Sequence, residues 1–355
     1  MSLTLTDEER ALARGEGGEA SAMAMRILCD MGRMLGADRL IPVASSHIDG
    51  ALYHGDSGVH FAEKLVAGGA RVAVPSTLNV GGLDLLDPAN VKADAHRRDM
   101  ALRLMRAYEA MGCRATWTCS PYHAGHRPEF GQDVAWGESN AVAFCNSVLG
   151  ARTNRYGDFL DICCAIAGRA PRYGLHLPEK RRATVLIYTS AISPALKRLD
   201  VFYPVLGCWY GAEIGTEIGV IDGLPADCSE DQLKALAAAA ASSGAVGLFH
   251  VAGRTPEAPS VESAGGGTVP GRNIRLTPSC PSPTPVGPIT NAFGSVCSEK
   301  PEPITVSDKT SGIWELLLAS SPFSFPFSLS FSFSVSGTDR TIRTTVPWFT
   351  TVPLA

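Results

Sequence analysis

A chain of 355 residues, 45% hydrophobic and 19% charged, is long enough to bury one large core or two ordinary ones. Its 31 basic and 35 acidic residues leave a net charge of −4 with no long run of one sign, which argues against nucleic acid or an anionic membrane as the primary partner. No run of about 18 apolar residues is present. The nearest, 236–249, is broken by Ser242, Ser243 and Gly244. The opening MSLTLTDEERALARGEGG is acidic and polar, unlike a secretory signal or transit peptide, so a cytoplasmic protein is expected. Ten scattered cysteines without a CxxC pair argue against a disulfide framework.

Thr6 and Glu9 are spaced as a capping box for a first helix, and 19–35 continues with helical periodicity. Short aliphatic segments at 40–44, 71–75 and 184–188 are expected strands, with helical patterns at 91–111 and near 139–149. Cys163 and Cys164 fall in the apolar helical run FLDICCAIAG and are expected to be buried structural thiols. Ser229 and Gln232 form a second capping box opening a helix through the alanines at 237–241, after which AVGLFH returns to strand character. Alternating strands and helices predict an α/β fold with a largely parallel sheet.

The character changes after Gly267, which divides the chain into 1–266 and a tail, 267–355. Residues 277–355 lack His and are crowded with Ser, Pro and Thr, a composition that does not repay chain ordering. Within it, FSFPFSLSFSFSV at 323–335 alternates with a period of two. Read structurally, that is an amphipathic strand with Phe on one face and Ser on the other. Read through its codons, it is a translated pyrimidine tract such as precedes a splice site, the reading preferred here. The tail is accordingly expected to be disordered or a gene-model artefact.

Polar residues suited to chemistry cluster after the expected strands, where ligands bind in α/β sheets. Ser45-Ser46-His47-Ile48-Asp49-Gly50 follows LIPVA; His47 is either an acid–base or substrate group, with Asp49 orienting it, or part of a plain turn. Ser76-Thr77-Leu78-Asn79 offers hydroxyl and amide groups to a carboxylate or phosphate. The densest stretch, 117–158, contains Cys119, which suits a metal or cluster thiolate or a nucleophile, although a single Cys in isolation is more often a buried small side chain. Glu138, Ser139 and Asn140 stand at an expected helix start, suited to holding an anion or simply to capping. Arg152, Thr153, Asn154 and Arg155, compressed between Gly150 and Gly157, read as an anion clamp. Arg169 before a Pro turn is either a further anion contact or a structural side chain, whereas His250 reads as structural. No P-loop, GxGxxG after a strand, GxSxG elbow or HExxH occurs, which disfavours nucleotide-dependent kinases, Rossmann dehydrogenases and common hydrolases.

The segments SSHIDG, VAVPSTLNVG, TCSPY, AWGESNAV, NSVLGARTNR, GRAPRYGLH, LKALAAAAASSGAV and LFHVAGRTPEAP, in this order over roughly 4–265, resemble the large-subunit domain of aconitase X, a branch of the aconitase superfamily. The resemblance implies a three-layer α/β/α domain working with a small swivelling domain or subunit. It implies a hydro-lyase for a small hydroxy acid, either cis-3-hydroxy-L-proline or mevalonate 5-phosphate. An iron–sulfur cluster (2Fe-2S or 4Fe-4S) held by three cysteines would act there as Lewis acid on the leaving hydroxyl. Carried over, Cys119 in TCSPY is the expected first cluster ligand. His47, Glu138, Ser139 and Asn140 are the expected catalytic residues, and Ser46, Thr77, Asn79, Asn146, Arg152, Thr153, Asn154 and Arg169 the expected substrate contacts. The family's two further ligand cysteines lie in a C-terminal part not found here, and Cys280 and Cys297 do not stand in matching context. A truncated, inactive product is the rival expectation.

Overall fold

The computed structural model describes residues 3–278, 328–335 and 341–347. Helix α1 (Asp7–Arg14) opens with the expected capping box: Glu9 N donates to Thr6 Oγ1 at 3.2 Å, and Thr6 N donates to Glu9 Oε2 at 2.8 Å. Helix α2 (Glu19–Met34) follows and buries Met25 and Leu28. Strand β1 (Leu40–Pro42) leads to β2 (Ser46–Ile48), α3 (Asp56–Ala67), β3 (Ser76–Leu78), α4 (Ala95–Ala110) and β4 (Ala135–Trp136). Helix α5 (Ser139–Phe144) runs into a π-helical turn, Cys145–Leu149, and α6 (Leu160–Ala167) precedes β5 (Arg169–Pro171).

Strands β3, β2 and β4 form a small parallel sheet with β2 central, His47 opposite Thr77 on one side and Trp136 on the other. The strand expected over 71–75 is displaced onto Ser76–Leu78, and parallel pairing of the LIPVA region starts only at Ser46. Proline explains both shifts. Pro75 has no N–H to contribute to a ladder, but its carbonyl accepts from Ser46 N at 3.0 Å, so the sheet begins there. Leu40–Pro42 pairs instead with β5, antiparallel. One face of β2 rests on the apolar core through Ile48, which packs with Met25, Leu28, Leu65, Leu104 and the fully buried Cys163 and Cys164 of α6.

Beyond β5 come β6 (Val185–Tyr188), α7 (Pro194–Lys197), α8 (Phe202–Ile214), β7 (Gly219–Asp222), α9 (Glu230–Gly244), β8 (His250–Val251), α10 (Val261–Ala264) and β9 (Arg272–Pro278). Strands β9, β6, β7 and β8 are mutually parallel. Val185, Leu186 and Ile187 are all buried, as expected for a parallel strand covered on both faces. Leu186 and Val220 pack with Ala258 and Ala264, while Tyr210 of α8 reaches the sheet, its hydroxyl accepting from Gly219 N at 2.6 Å. The alanine run of α9 has a packing reason. A Cβ on Gly207 of α8 would lie 2.4 Å from Leu236 O, so the two helix backbones nearly touch and only small residues fit between them. The Ser229–Gln232 capping box forms as expected, with bonds of 3.0 and 3.1 Å.

The mixed α/β class read from the sequence therefore holds. The sheet runs past residue 266, because β9 pairs along the whole of β6. Strand β10 (Ser328–Val335) pairs antiparallel with β9 through Phe333–Val335, and β11 (Thr341–Pro347) lies beside it. The period-two alternation thus forms a strand over 328–335; residues 279–327, 336–340 and 348–355, which make up most of the expected tail, lie outside the described residues. Among the described residues no helix is long and apolar enough to cross a membrane.

Candidate functional site

The carboxyl ends of β2, β3 and β4 bring Asp49, Asn79 and Glu138 to one edge, where ligands sit in parallel sheets. Asn79 N donates to Ile48 O at 2.9 Å and Gly137 N to His47 O at 2.8 Å, so both turns continue the ladder before leaving it. Gly137 is required by the close approach: a Cβ there would stand 2.8 Å from Asp49 Cβ and 2.9 Å from Asp161 Oδ2. Beneath the Asp49–Gly50 turn, the fully buried Asp161 of α6 accepts from Asp49 N at 2.8 Å and Gly50 N at 3.3 Å. Its other oxygen accepts from Ile162 N at 2.6 Å.

Glu138 caps α5, accepting from Asn140 N through Oε1 at 3.4 Å, while its Oε2 is buried without a partner. Burial, then the neighbouring Asp49, push its carboxyl up to about 7. Burial also raises Asp49, partly offset by the bond from Asn79 Nδ2 at 2.5 Å. Ser139 and Asn140 form the first turn of α5, with Asn140 Oδ1 buried and unpartnered.

His47 has no exposed surface. Its Nδ1 lies 2.9 Å from Thr77 Oγ1, and its Nε2 has no partner. Burial, reinforced by nearby His126, lowers its pKa to about 3, so the imidazole is neutral. His126 stacks on Trp136 and donates through Nε2 to Ser46 O at 2.9 Å. Ser46 Oγ is occupied with Ala135 O at 2.6 Å.

Cys119 is half-buried on a loop tied to the end of β3 by Thr116 Oγ1 and Thr118 N, which both donate to Leu78 O. Two residues earlier, Trp117 holds φ +45°, a conformation costly for an aromatic side chain. Burial raises the Cys119 thiol, with Glu138 and then Asp49 adding to the effect. Tyr122 of the same loop stacks on Phe144 of α5 at 3.8 Å, and Arg127 makes a bidentate pair with Glu230 of α9 at 2.7 and 3.1 Å.

Other expected contacts have local partners elsewhere. Asn146, in the π-turn, donates to Thr153 O and Gly247 O, and its Oδ1 accepts from Thr153 N and Arg181. Thr153 Oγ1 accepts from Trp136 N, and Asn154 bridges Tyr173 O and Leu175 N. Arg152 pairs through its backbone with Gln132 and Val134, its Nε buried without a partner. Arg169 sits on β5, where Glu8 at 3.1 Å and Glu9 at 3.3 Å of α1 engage it. It therefore stands apart from the edge that carries Asp49, Asn79 and Glu138. His250 donates to Arg181 O at 2.8 Å, in keeping with a structural role.

Sequence reasoning passed over two groups. One is Asp161, whose signal was a lone carboxylate inside FLDICCAIA. The other is Arg181, 3% exposed, with its guanidinium on Glu257 at 2.9 Å, Asn146, Leu175 O and Ala151 O; an arginine in the polar run EKRRA carries no signal of burial.

Among the described residues no three His, Cys, Asp or Glu side chains converge to hold a metal ion. Cys119 stands at the site edge, but Cys29, Cys113, Cys145, Cys163, Cys164 and Cys228 are buried, and the half-buried Cys208 lies on α8. A cluster bound by three thiolates therefore does not fit these residues by themselves.

Residues 2–179 match the aconitase X first domain and residues 183–279 the aconitase X second domain. The chain belongs to the aconitase X family. It is 46% identical over 269 residues to the cis-3-hydroxy-L-proline dehydratase of Pseudomonas aeruginosa, covering 76% of this chain and 46% of that protein. The cis-3-hydroxy-L-proline dehydratase of Hypocrea jecorina is 40% identical, with 74% and 44% covered. The phosphomevalonate dehydratase large subunit of Thermococcus kodakarensis is 40% identical, with 71% and 62% covered. The holo-form crystal structure of Thermococcus kodakaraensis aconitase X superposes with a TM-score of 0.69 at 37% identity, covering 77% of this chain and 67% of that one. The chain thus spans about half the length of the dehydratases it matches.

Proposed function

We propose that this chain is the large-domain part of a cytoplasmic hydro-lyase that removes water from a small hydroxy acid, cis-3-hydroxy-L-proline being the favoured substrate. The observation that carries the reading is Glu138, a carboxyl with a free buried oxygen and a pKa near neutrality at a parallel-sheet edge. Such a group accepts and returns a proton at physiological pH, which suits removal of the hydrogen α to the substrate carboxylate. Neutral His47 with its open Nε2, together with Ser139 and Asn140, lines the same reading as polar contacts to the reacting hydroxyl and carboxylate. Thr77 and Asn79 belong to that wall, while Ser46, Asn146, Thr153 and Asn154 support it from behind.

When bound in aconitase-type enzymes, an iron–sulfur cluster supplies a Lewis acid for the departing hydroxyl. Cys119 is the one described thiol placed to contribute to it, so the remaining ligands, like the small swivelling domain or subunit, would come from outside the described residues. The alternative outside catalysis is an inactive, truncated product.

A substrate panel tests the proposal. Purified full-length protein should dehydrate cis-3-hydroxy-L-proline, and Glu138→Gln should lower kcat/KM by about 100- to 10,000-fold. Mevalonate 5-phosphate is the second reading, favoured by fuller coverage of the relatives that carry that name, 62% and 61%. Turnover of that acid alone would transfer the assignment to it. No turnover of either, from protein whose intact mass matches the 355-residue chain, would sink the enzyme reading.

A further inference from the structure

The edge built by β2, β3 and β4 is rich in acceptors. Asn79 is 3% exposed, and its amide nitrogen donates to Asp49 Oδ1 at 2.5 Å. That bond fixes the amide, because the flipped form would set its oxygen against a carboxylate. Asn79 Oδ1 is consequently an oriented acceptor beside Asp49, buried and unpartnered. Glu138 Oε2, at the end of the adjoining strand, is a second buried oxygen without a partner. The charged groups that shift Asp49 are Asp158 and His54, and the one that shifts Glu138 is Asp49; neither is moved by a lysine or arginine.

A site of this kind wants a ligand that brings positive charge and N–H donors together. A phosphate or a second carboxylate would meet two acidic groups in a half-buried setting. A metal ion is the poorer fit, since no three metal-holding side chains converge among the described residues.

We propose that Asp49 and Asn79, backed by the charge of Glu138, bind the ring ammonium of a cyclic imino acid and thereby select it over a phosphate-bearing hydroxy acid. The count agrees: a secondary ammonium carries two N–H groups, and Asp49 and Asn79 Oδ1 supply one acceptor each. The inference rests on the dehydratase reading and adds to it the group of the substrate that is recognised.

Calorimetric titration of the full-length chain tests it, using cis-3-hydroxy-L-proline, 3-hydroxytetrahydrofuran-2-carboxylate (the same ring with oxygen in place of the ammonium) and mevalonate 5-phosphate. The imino acid should bind about 10- to 100-fold more tightly than its oxygen analogue, as for loss of a charge-assisted hydrogen bond. Asp49→Asn should bring the two within about 3-fold, a level at which the charged bond is gone. Asn79→Ala should fall between. Equal binding of the two ring acids by the wild-type protein overturns the inference and leaves the dehydratase reading standing. So does an undiminished preference in a folded Asp49→Asn protein, or tighter binding of mevalonate 5-phosphate. Competition by manganese ions for the imino acid overturns it in favour of a metal site. Failure to bind any of the three acids overturns the inference together with the reading beneath it. Should the variants not fold, the wild-type comparison decides alone.

Discussion

Glu138 concentrates the electrostatics of the site in one carboxyl. Its ordinary pKa of 4.5 rises to about 7 because burial and Asp49 both penalise the charged form. The folded state therefore holds the proton more tightly than the unfolded chain. The stability linked to it is fully present below pH 4.5 and is lost as pH rises through 7. Glu138→Gln, neutral at every pH, should flatten that part of the thermal-stability profile between pH 5 and 8. A variant whose melting temperature falls as steeply as the parent's would place the titration elsewhere. Cys119 obeys the same local logic: with its thiol raised by burial and two carboxylates, it should react with iodoacetamide more slowly than free cysteine at pH 8, and faster once Glu138 is replaced by Gln. The sequence marked Glu138 by its place at an expected helix start and Cys119 by its place in the dense polar stretch 117–158. Their altered acidities are products of burial and of Asp49, and neither is written in the local sequence.

At the scale of elements, the edge depends on how tightly β2, β4 and α6 close on one another. Gly137→Ala would force a methyl against Asp49 and the Asp161 carboxylate, so a loss of about 1–3 kcal/mol in urea denaturation is expected. Removing one partner of the buried Arg181–Glu257 pair, as in Arg181→Ala, should cost about 3–5 kcal/mol by the same measurement. Helix starts were well read, because a capping box is a local interaction among four residues and both boxes form where Thr6 and Ser229 place them. Of the expected strands, 40–44 and 184–188 form as Leu40–Pro42 and Val185–Tyr188, whereas 71–75 gives way to Ser76–Leu78, because aliphatic content signals burial while ladder pairing needs an N–H that Pro75 lacks. The run 152–155 was read as an anion clamp, and Asn146 as a substrate contact implied by the resemblance. The clamp's spacing matched, but Asn146, Thr153 and Asn154 spend their groups on distant backbone such as Gly247 O and Tyr173 O, partners that no window of sequence displays.

For the molecule as a whole, motifs distributed over some 260 residues were enough to read the family, and the two domain matches agree with that reading. A ligand set of the kind the resemblance implies would be gathered from positions far apart in the chain, and among the described residues Cys119 is the thiol that stands at the edge of β2, β3 and β4. Peptide mapping of the native protein bears on the remainder. Peptides from 323–347 should be missing if the Phe–Ser alternation is a translated pyrimidine tract, and their recovery would discard that reading. The Arg181 contacts also have a consequence for dissection. The domain matches end at 179 and resume at 183, an obvious place to divide the chain for separate expression. Yet that joint carries a guanidinium whose partners lie on both sides, Asn146 and Ala151 before it and Glu257 after it. Cutting there would strand a cation in one fragment and an acid in the other, so neither half is a natural unit of expression.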